Sequence, residues 1–370
     1  MPDVLLLDSP IAGDGPSMGR YARELHAALR AQAAGRSTFR LHQAPTGRAA
    51  RPGTGGRLAR AWFRYVSYPR SVRGATADVF HILDQAYAHL IRSLPADRTV
   101  VTCHDLVPLL AAEGAIRLPV PATVARSFRW RVAQMARARA VIAVSEATRA
   151  TIERYTSIPR DRIIVVLQGV SPVFRPIADA RLRLRRAAAL GDADPVVLQV
   201  SSGARYKNTP AILHALAAIR KALDRPATLV RVGARLHPDE RDLAARLGVG
   251  DAVREVGTVD DRTLAEWYNA ADVLAFPSIW EGFGWPPLEA MACGTPVVAS
   301  AIPPVSEVVG DAGLLVAPDD HDALARALLR ALTEPLLATS QRERGLARAT
   351  RFTWARTAAA TAAVYDSVLR

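Results

Sequence analysis

Ten short apolar runs are the feature of this sequence that most limits what it can fold into. Each run is followed by a longer helical stretch, and most are continuous rather than alternating. Strands that are apolar at every position are buried on both faces, as in parallel sheets covered by helices. The runs are Val4–Leu7, Val79–Leu83, Thr99–Thr102, Ala140–Val144, Ile163–Leu167, Val196–Val200, Thr228–Val232, Val273–Phe276, Pro296–Ala299 and Gly313–Val316. The pattern predicts an α/β protein in which each half of the chain forms its own doubly wound parallel sheet.

The length of 370 residues is enough for two such domains, each with its own core. Between the fifth and sixth runs, Gly169–Ile177 contains Pro172 and Pro176, and glycine and proline residues in such a segment are typical of a linker. We therefore predict one domain over residues 1–171 and a second over 172–355. The Ala-rich helical segment 356–370 is expected to pack back onto the first domain.

Targeting signals and cysteines point to a cytoplasmic protein. No apolar run reaches the roughly 18 residues that span a bilayer. Met1–Asp8 has acids beside its apolar run and no basic leader, so we expect a first strand rather than a secretion signal. Cys103 and Cys293 match no metal-binding spacing, and we expect two free thiols.

The most informative motif follows the eighth apolar run, where Glu281 and Glu289 stand eight residues apart. Glycines, prolines and aromatic residues lie between them, and an apolar helical stretch follows. Glycine lets a ligand approach the backbone, and proline early in a helix leaves the next N–H groups free to face an anion. We predict one acid on a loop and one in the first helical turns, both able to accept hydrogen bonds from sugar or ribose hydroxyls. Either acid alone could also be an ordinary acid near a helix start.

Other chemistry-bearing residues also follow apolar runs. His104-Asp105 follows the third run, Ser201–Asn208 the sixth, and a glycine loop, Gly13–Arg20, the first. Ligands of open parallel sheets bind beyond the carboxyl ends of the strands, so these are candidate site segments. Asp192-Ala193-Asp194 has the Asp-x-Asp pattern of a metal-binding pair, but it precedes a strand, and we interpret it as a turn.

Taken together, these motifs resemble the retaining nucleotide-sugar glycosyltransferases of the GT4 family, which have the GT-B fold. The resemblance runs along the chain in the family's order. It rests on His104-Asp105-Leu106, Ala143–Arg149, Gln168-Gly169-Val170 with Phe174-Arg175-Pro176, Lys207-Asn208, Pro277-Ser278 and the string Glu281–Pro296.

This resemblance implies two Rossmann-like domains facing across a cleft, with the acceptor bound by the first and the nucleotide-sugar donor by the second. The implied reaction is retaining, metal-independent transfer of a hexose, with mannose favoured, to a polysaccharide, lipid-linked or other cell-envelope acceptor. No cofactor is expected, and UDP, GDP and ADP donors remain open. The alternatives are a nucleotide-sugar 2-epimerase of the same architecture and a non-catalytic nucleotide-sugar binder.

The resemblance also assigns roles to single residues. The catalytic group is His104, Asp105 and Glu281, which would contact the transferred sugar, while Lys207 would neutralise the diphosphate. One departure is Ser201, where many relatives have glycine, so Arg205 need not superpose on the family's usual arginine. The donor-binding set is Gly19, Gly203, Arg205, Lys207, Asn208, Gly233, Val259, Pro277, Ser278, Phe283, Gly284, Trp285, Leu288 and Glu289.

The charge of the chain is concentrated in its first half. Residues 1–175 contain 25 arginines and 12 acids, whereas residues 176–370 contain 23 basic and 23 acidic residues. The stretch Arg36–Arg73 has nine arginines and no acid, interleaved with aromatic residues. Such a surface favours an anionic membrane or acceptor, and no motif supports nucleic acid; a solvated basic face is the alternative. The residues expected there are Arg57, Arg60, Trp62, Arg64 and Arg70.

Overall fold

The computed structural model describes residues 2–8, 16–33, 35, 37–42, 44, 54–116, 118–191, 194–223 and 226–370. Several features named above lie outside this description: Gly13–Gly15 of the glycine loop, Asp192 and Ala193 of the aspartate triplet, Arg36 and residues 43 and 45–53 of the basic stretch, and the side chain of Arg57. The chain divides into two compact units. Unit 1 is Met1–Gly169 with Trp354–Arg370, and unit 2 is Val170–Thr353.

Unit 1 is built on a six-stranded parallel sheet with the order β2-β1-β3-β4-β5-β6. Its central strands are buried along their whole length, which is why their sequences are continuously apolar. The strands are β1 (Asp3–Leu7), β2 (Thr38–His42), β3 (Val79–Ile82), β4 (Thr99–Cys103), β5 (Ala140–Ala143) and β6 (Ile163–Val165). The first helices are α1 (Pro16–Ala33), α2 (Thr54–Trp62), α3 (Tyr68–Val72), α4 (Val107–Ala112), α5 (Ala122–Ala133) and α6 (Glu146–Tyr155).

Unit 2 repeats the architecture with the order β12-β11-β10-β7-β8-β9, again all parallel. Its strands are β7 (Val196–Ser201), β8 (Thr228–Gly233), β9 (Val253–Gly257), β10 (Val273–Phe276), β11 (Val297–Ser300) and β12 (Leu314–Val316). Its helices are α7 (Ala180–Ala187), α8 (Thr209–Ala222), α9 (Pro238–Arg246), α10 (Asp261–Ala270), α11 (Trp285–Ala292), α12 (Pro303–Val309), α13 (His321–Thr333) and α14 (Pro335–Ala349).

The last helix, α15 (Trp354–Leu369), packs on α1 in unit 1. A buried polar chain fixes it there. The Tyr365 hydroxyl lies 2.6 Å from Nδ1 of His81, and the other ring nitrogen of His81 lies 2.7 Å from the Thr102 hydroxyl. Thr357 of the same helix donates to the carbonyl oxygen of Leu167 at 2.8 Å.

Two strands were not predicted from the apolar runs. β2 and β9 are edge strands, and in both the residues are half-buried or exposed rather than fully buried. Their exposed positions carry polar residues such as Arg40 and Glu255, so no continuous apolar run forms. The other two edge strands, β6 and β12, are half-buried or buried and keep an apolar run. Among the described helices, none is both long and apolar enough to cross a bilayer.

Candidate functional site

The strand order of unit 2 places a crevice between β7 and β10. From β7 the chain continues to β8 and β9 on one side, and β10, β11 and β12 lie on the other. Such a reversal opens a gap beyond the carboxyl ends of the two strands, where ligands of this architecture bind. Two segments meet there, the β7 loop (residues 202–208) and the β10 loop (residues 277–284). The backbone N–H of Ile279 donates to the carbonyl oxygen of Tyr206 at 2.8 Å, which joins the loops directly.

Lys207 and Glu281 form an ion pair across these two loops. Nζ of Lys207 lies 2.6 Å from Oε1 of Glu281, and each side chain is only 12% exposed. The ammonium group also lies 5.3 Å and 5.2 Å from the ring centres of Tyr206 and Phe276. A cation held by a carboxylate and two aromatic faces is fixed in place and partly shielded from water.

The second acid of the motif, Glu289, is buried in α11. Its Oε2 accepts a hydrogen bond from the Tyr268 hydroxyl at 2.8 Å. Gly284 precedes the helix with φ of 114°, a conformation that side-chain-bearing residues rarely adopt, and Pro286 follows at the helix start. The predicted placement of one acid on the loop and one inside the helix is what the structure shows.

Two glycines allow the loops after β7 and β8 to pack closely. A Cβ on Gly233 would lie 2.2 Å from the carbonyl oxygen of Ser201 on the neighbouring strand. A Cβ on Gly203 would lie 2.8 Å from Cβ of Ala234, and Gly203 has φ of 82°. The carbonyl oxygen of Gly203 accepts from Nε2 of His237 at 2.7 Å. These glycines are therefore required by backbone packing, whatever ligand binds nearby.

Arg205 and Asn208 of the same loop are held by protein groups. The guanidinium of Arg205 makes two hydrogen bonds to the Asp239 carboxylate, at 2.6 and 3.0 Å, on the exposed surface. This pairing raises the pKa of Arg205 and lowers the pKa of Asp239. Asn208 has a left-handed backbone and donates to the carbonyl oxygen of Pro318 at 3.1 Å. Lys207 is thus the loop cation that points to Glu281, while Arg205 points to α9.

The other predicted donor residues are mostly buried around the β10 loop. Pro277, Ser278, Trp285 and Leu288 are buried, and the Ser278 hydroxyl has no hydrogen-bond partner among the described residues. Phe283 packs edge-on against Phe352, with ring centres 6.1 Å apart. Val259 stands apart on the loop after β9, where it is half-buried.

In unit 1, the imidazole of His104 is buried and both its nitrogens have protein partners. Nε2 lies 2.9 Å from the carbonyl oxygen of Leu83, which can only accept, so Nε2 carries the proton. Nδ1 then accepts from the side-chain amide of Gln168 at 3.0 Å. Burial lowers the pKa of His104, which agrees with a neutral ring. A sugar hydroxyl could bind this ring only by replacing or sharing one of those partners.

The neighbours of His104 also serve the fold. The Tyr21 ring meets the imidazole edge-on at 4.7 Å, and Oδ1 of Asp105 accepts from the backbone N–H of Val107 at 3.1 Å. Gly19 lies in the first turn of α1, which begins at Pro16, so it does not open the helix. Of the predicted glycine loop, Gly13–Gly15 lie outside the described residues.

The basic and aromatic segment of unit 1 contains an exposed apolar face. Leu58 is 79% exposed and Trp62 is 60% exposed. The Arg70 guanidinium lies 5.8 Å from the Trp62 ring centre, and the Arg64 guanidinium lies 4.8 Å from that of Tyr87. Arg60 is half-exposed in the last turn of α2.

Three residues that contact or support the predicted sites were missed from the sequence. They are Tyr268, which donates to Glu289, Gln168, which donates to His104, and Asp239, which holds Arg205. Gln168 stands in a motif of the family resemblance that assigned it no role, and Tyr268 lies in a helix with no motif. Only the three-dimensional contacts reveal their roles.

Comparison with known proteins identifies the class and the family. The model "Glycosyltransferase Family 4" matches residues 18–174, and the model "Glycosyl transferases group 1" matches residues 181–348. A serotype-specific mannosyltransferase of Escherichia coli is 29% identical over 279 residues, covering 72% of this chain and 33% of that protein. The chain therefore spans about a third of the length of that curated relative.

Solved structures agree over the whole chain. A sucrose-phosphate synthase from Thermosynechococcus elongatus has a TM-score of 0.79 at 23% identity, covering 100% of this chain and 99% of its own. An Anabaena protein solved in complex with UDP-glucose has a TM-score of 0.76 at 20% identity, covering 99% and 100%. The fold is GT-B, as predicted. The chain belongs to the GT4-type glycosyltransferases.

Proposed function

We propose that this protein transfers a hexose, with mannose favoured, from a nucleotide diphosphate sugar to a glycan or lipid-linked acceptor of the cell envelope, with retention and without a metal. The observation that carries the proposal is the Lys207–Glu281 pair, held 2.6 Å apart where the β7 and β10 loops meet. It offers a cation for a diphosphate and a carboxylate for a sugar at one place. The relative named a mannosyltransferase supports the choice of sugar.

The donor would be bound chiefly by unit 2, beyond the carboxyl ends of β7 and β10. Lys207 would attract the diphosphate, and the positive end of the α11 helix dipole would add a partial positive charge. Glu289 would accept hydrogen bonds from the ribose hydroxyls, and the base would lie toward Pro277, Ser278 and Val259. The neighbour crystallised with UDP-glucose supports a nucleotide-sugar donor.

Glu281 would act on the transferred sugar. Glycosyl transfer passes through a transition state with positive charge near the anomeric carbon, which a nearby carboxylate stabilises. The acceptor hydroxyl oxygen forms the new bond to that carbon as the bond to the diphosphate oxygen breaks. The departing diphosphate takes the hydroxyl proton from the same face, so the configuration is retained. Unit 1 would bind the acceptor, with His104 and Asp105 facing the sugar.

The test of this proposal is a thermal-shift panel of UDP, GDP, ADP and dTDP sugars, each with magnesium and with EDTA. Stabilisation by one donor, unchanged by EDTA, is the expected result. Stabilisation by no donor, or only with magnesium, would refute the metal-free donor site. Product analysis then separates transfer from the alternatives, because a 2-epimerase returns an altered nucleotide sugar without using acceptor and a pure binder consumes nothing.

We also propose that the basic face of unit 1 binds an anionic membrane surface, which would make the protein peripheral on the cytoplasmic side. The exposed apolar residues Leu58 and Trp62 beside Arg60 and Arg70 support this. Salt-sensitive binding to anionic vesicles is expected, and it should weaken in Trp62→Ala and Arg60→Gln. The control is Arg254→Gln, which removes an exposed arginine from unit 2. Equal binding to neutral vesicles would exclude an electrostatic membrane site.

A further inference from the structure

Among the described residues of unit 2, two arginines are fully buried, and only one of them has a carboxylate partner. Arg185 of α7 is neutralised, because its Nη2 lies 2.6 Å from the Asp272 carboxylate. Arg231 of β8 is 1% exposed, yet its partners are all neutral. They are the Gln199 side-chain oxygen, the Thr209 hydroxyl at 3.0 Å and the Ala234 carbonyl oxygen at 2.7 Å.

One guanidinium nitrogen of Arg231 lacks a hydrogen-bond partner among the described residues. Its Nη2 is buried and has no hydrogen-bond partner, and no carboxylate of the described residues pairs with this guanidinium. Glu240 and Glu255 favour the charge from a distance without contacting it. A buried, uncompensated charge is costly, and arginine does not give up its proton to avoid that cost. An anion supplied by a ligand would remove the imbalance.

Arg231 lies at the edge of the sheet where such a ligand is expected. It pairs in register with Gln199 on β7, and both stand two residues before the ends of their strands. Its Nη1 reaches Thr209, the first residue of the 14-residue helix α8, directly after Lys207 and Asn208. The guanidinium therefore sits at the N-terminus of α8, where the positive end of the helix dipole also attracts anions.

The basic side chains of the β7 loop near this point already have carboxylate partners. Arg205 is paired with Asp239 on the surface, and Lys207 is paired with Glu281. No basic residue follows β7 directly, since Ser201 and Ser202 stand there. Of Arg205, Lys207 and Arg231, it is Arg231 that pairs with no carboxylate of the described residues.

We propose that Arg231 is a positioning residue for the donor diphosphate, supplying buried positive charge beneath the β7 loop and acting through Thr209 and the N-terminus of α8. This inference rests on the proposed function, because it takes the diphosphate of the donor as the anion. The charge of the Arg231 guanidinium adds to the positive potential at the helix terminus, which attracts the diphosphate. Lys207 provides the contact from the loop above.

The experiment is calorimetric binding of inorganic pyrophosphate, the four nucleoside diphosphates and the matching nucleosides to the full chain. Arg231→Met should weaken binding of pyrophosphate and of the cognate nucleoside diphosphate about 10- to 100-fold and leave nucleoside binding unchanged. Arg231→Lys should recover part of the loss, and Thr209→Val should show a smaller loss. Lys221→Met, which removes an exposed charge at the far end of α8, is the matched control and should bind like the wild type.

The outcomes separate this inference from the proposed function. Pyrophosphate binding that is lost in Arg231→Met supports the role of Arg231, even if no nucleotide of the panel binds and the donor proposal fails. Unchanged pyrophosphate affinity in Arg231→Met overturns the inference while leaving the donor site intact. An equal loss of nucleoside binding would identify Arg231 as a support of the fold, which also overturns it. A wild-type protein that binds neither pyrophosphate nor nucleotide refutes both.

Discussion

The carboxyl ends of the two sheets carry different chemistry. In unit 2, charged side chains on loops meet at the strand ends, as the Lys207–Glu281 pair shows. In unit 1, the corresponding place holds a neutral imidazole, His104, whose two nitrogens are satisfied by Leu83 and Gln168, and the carboxyl groups nearby are Asp84 and Asp105. The two sheets have similar architecture, but the side chains at their strand ends differ. The unit 2 end offers a lysine to an anionic leaving group, and the unit 1 end offers a rigid imidazole beside acidic groups.

The strongest test of the unit 2 end is Glu281→Gln. The amide keeps the shape of the side chain but cannot stabilise positive charge, and it leaves Lys207 without its partner. We expect transfer to fall about 100-fold or more, since removing one preorganised charge contact has effects of that size. The measurement is kcat with saturating donor.

Glu266→Gln is the matched control for this change. Glu266 also pairs with a basic residue of unit 2, Arg183 at 2.7 Å, but on the surface of α10. It should transfer at the wild-type rate. If Glu281→Gln retained full transfer as well, the acid on the β10 loop would have no part in the reaction, and the contrast between the two sheets would lose its functional meaning.

A second test separates the ribose site from the residue that supports it. Glu289→Gln should weaken nucleoside diphosphate binding about 10- to 100-fold, because hydrogen bonds to a buried charged group are among the stronger ones. Tyr268→Phe removes only the hydroxyl that donates to Glu289 at 2.8 Å, so a loss of a few fold is expected. Calorimetry with the cognate nucleotide gives both values. A Tyr268→Phe loss as large as that of Glu289→Gln would instead mean that the pair mainly supports the fold.

The sequence was enough to predict the fold and much of the unit 2 end, for identifiable reasons. Interior strands such as β4 are apolar because both their faces are covered, so each appears as a continuous run. Glu281 and Glu289 belong to one contiguous string, so their loop and helix placement can be deduced from glycine and proline positions.

What the sequence could not give are contacts between distant segments. The strands β2 and β9 carry no continuous apolar run because several of their residues are exposed. Gln168 and His104 are 64 residues apart, and Arg231 and Gln199 meet only through the register of β7 and β8. A buried arginine inside a strand is unusual. Only the three-dimensional contacts show that no carboxylate of the described residues pairs with it.

The buried histidines of unit 1 predict that the stability of the folded state depends on pH. Burial lowers the pKa of His81 to about 3 and that of His89 to about 4, and it also lowers the pKa of His104. Unfolding exposes these rings and returns each pKa to near 6.5, so below that pH the unfolded chain binds more protons. Stability is therefore full above about pH 6.5 and falls as the pH drops toward the folded values, by up to about 1.4 kcal/mol per pH unit for each ring.

Denaturant unfolding at pH 7, 6 and 5, followed by hydrogen exchange in β3 and β4, measures this response in unit 1. His89→Phe is the matched variant, because His89 packs among the rings of Tyr65, Tyr87 and Trp130, where a phenyl group fits and cannot titrate. Its stability should fall less steeply with acid than that of the wild type. An identical slope in both proteins would show that His89 binds protons equally in the folded and unfolded states over this range.

The smallest effect is expected within unit 2 itself, at two cations of the same loop. Arg205→Met removes an exposed ion pair to Asp239, and exposed pairs contribute little, so donor affinity should change less than about threefold. Lys207→Met removes the shielded cation beside Glu281 and should weaken donor binding about 10- to 100-fold. Calorimetry on both variants at low and moderate salt decides the point. If Arg205→Met proved as damaging as Lys207→Met, the donor must draw Arg205 away from Asp239 on binding, and the charged end of unit 2 would include a residue that its unliganded contacts assign to the surface.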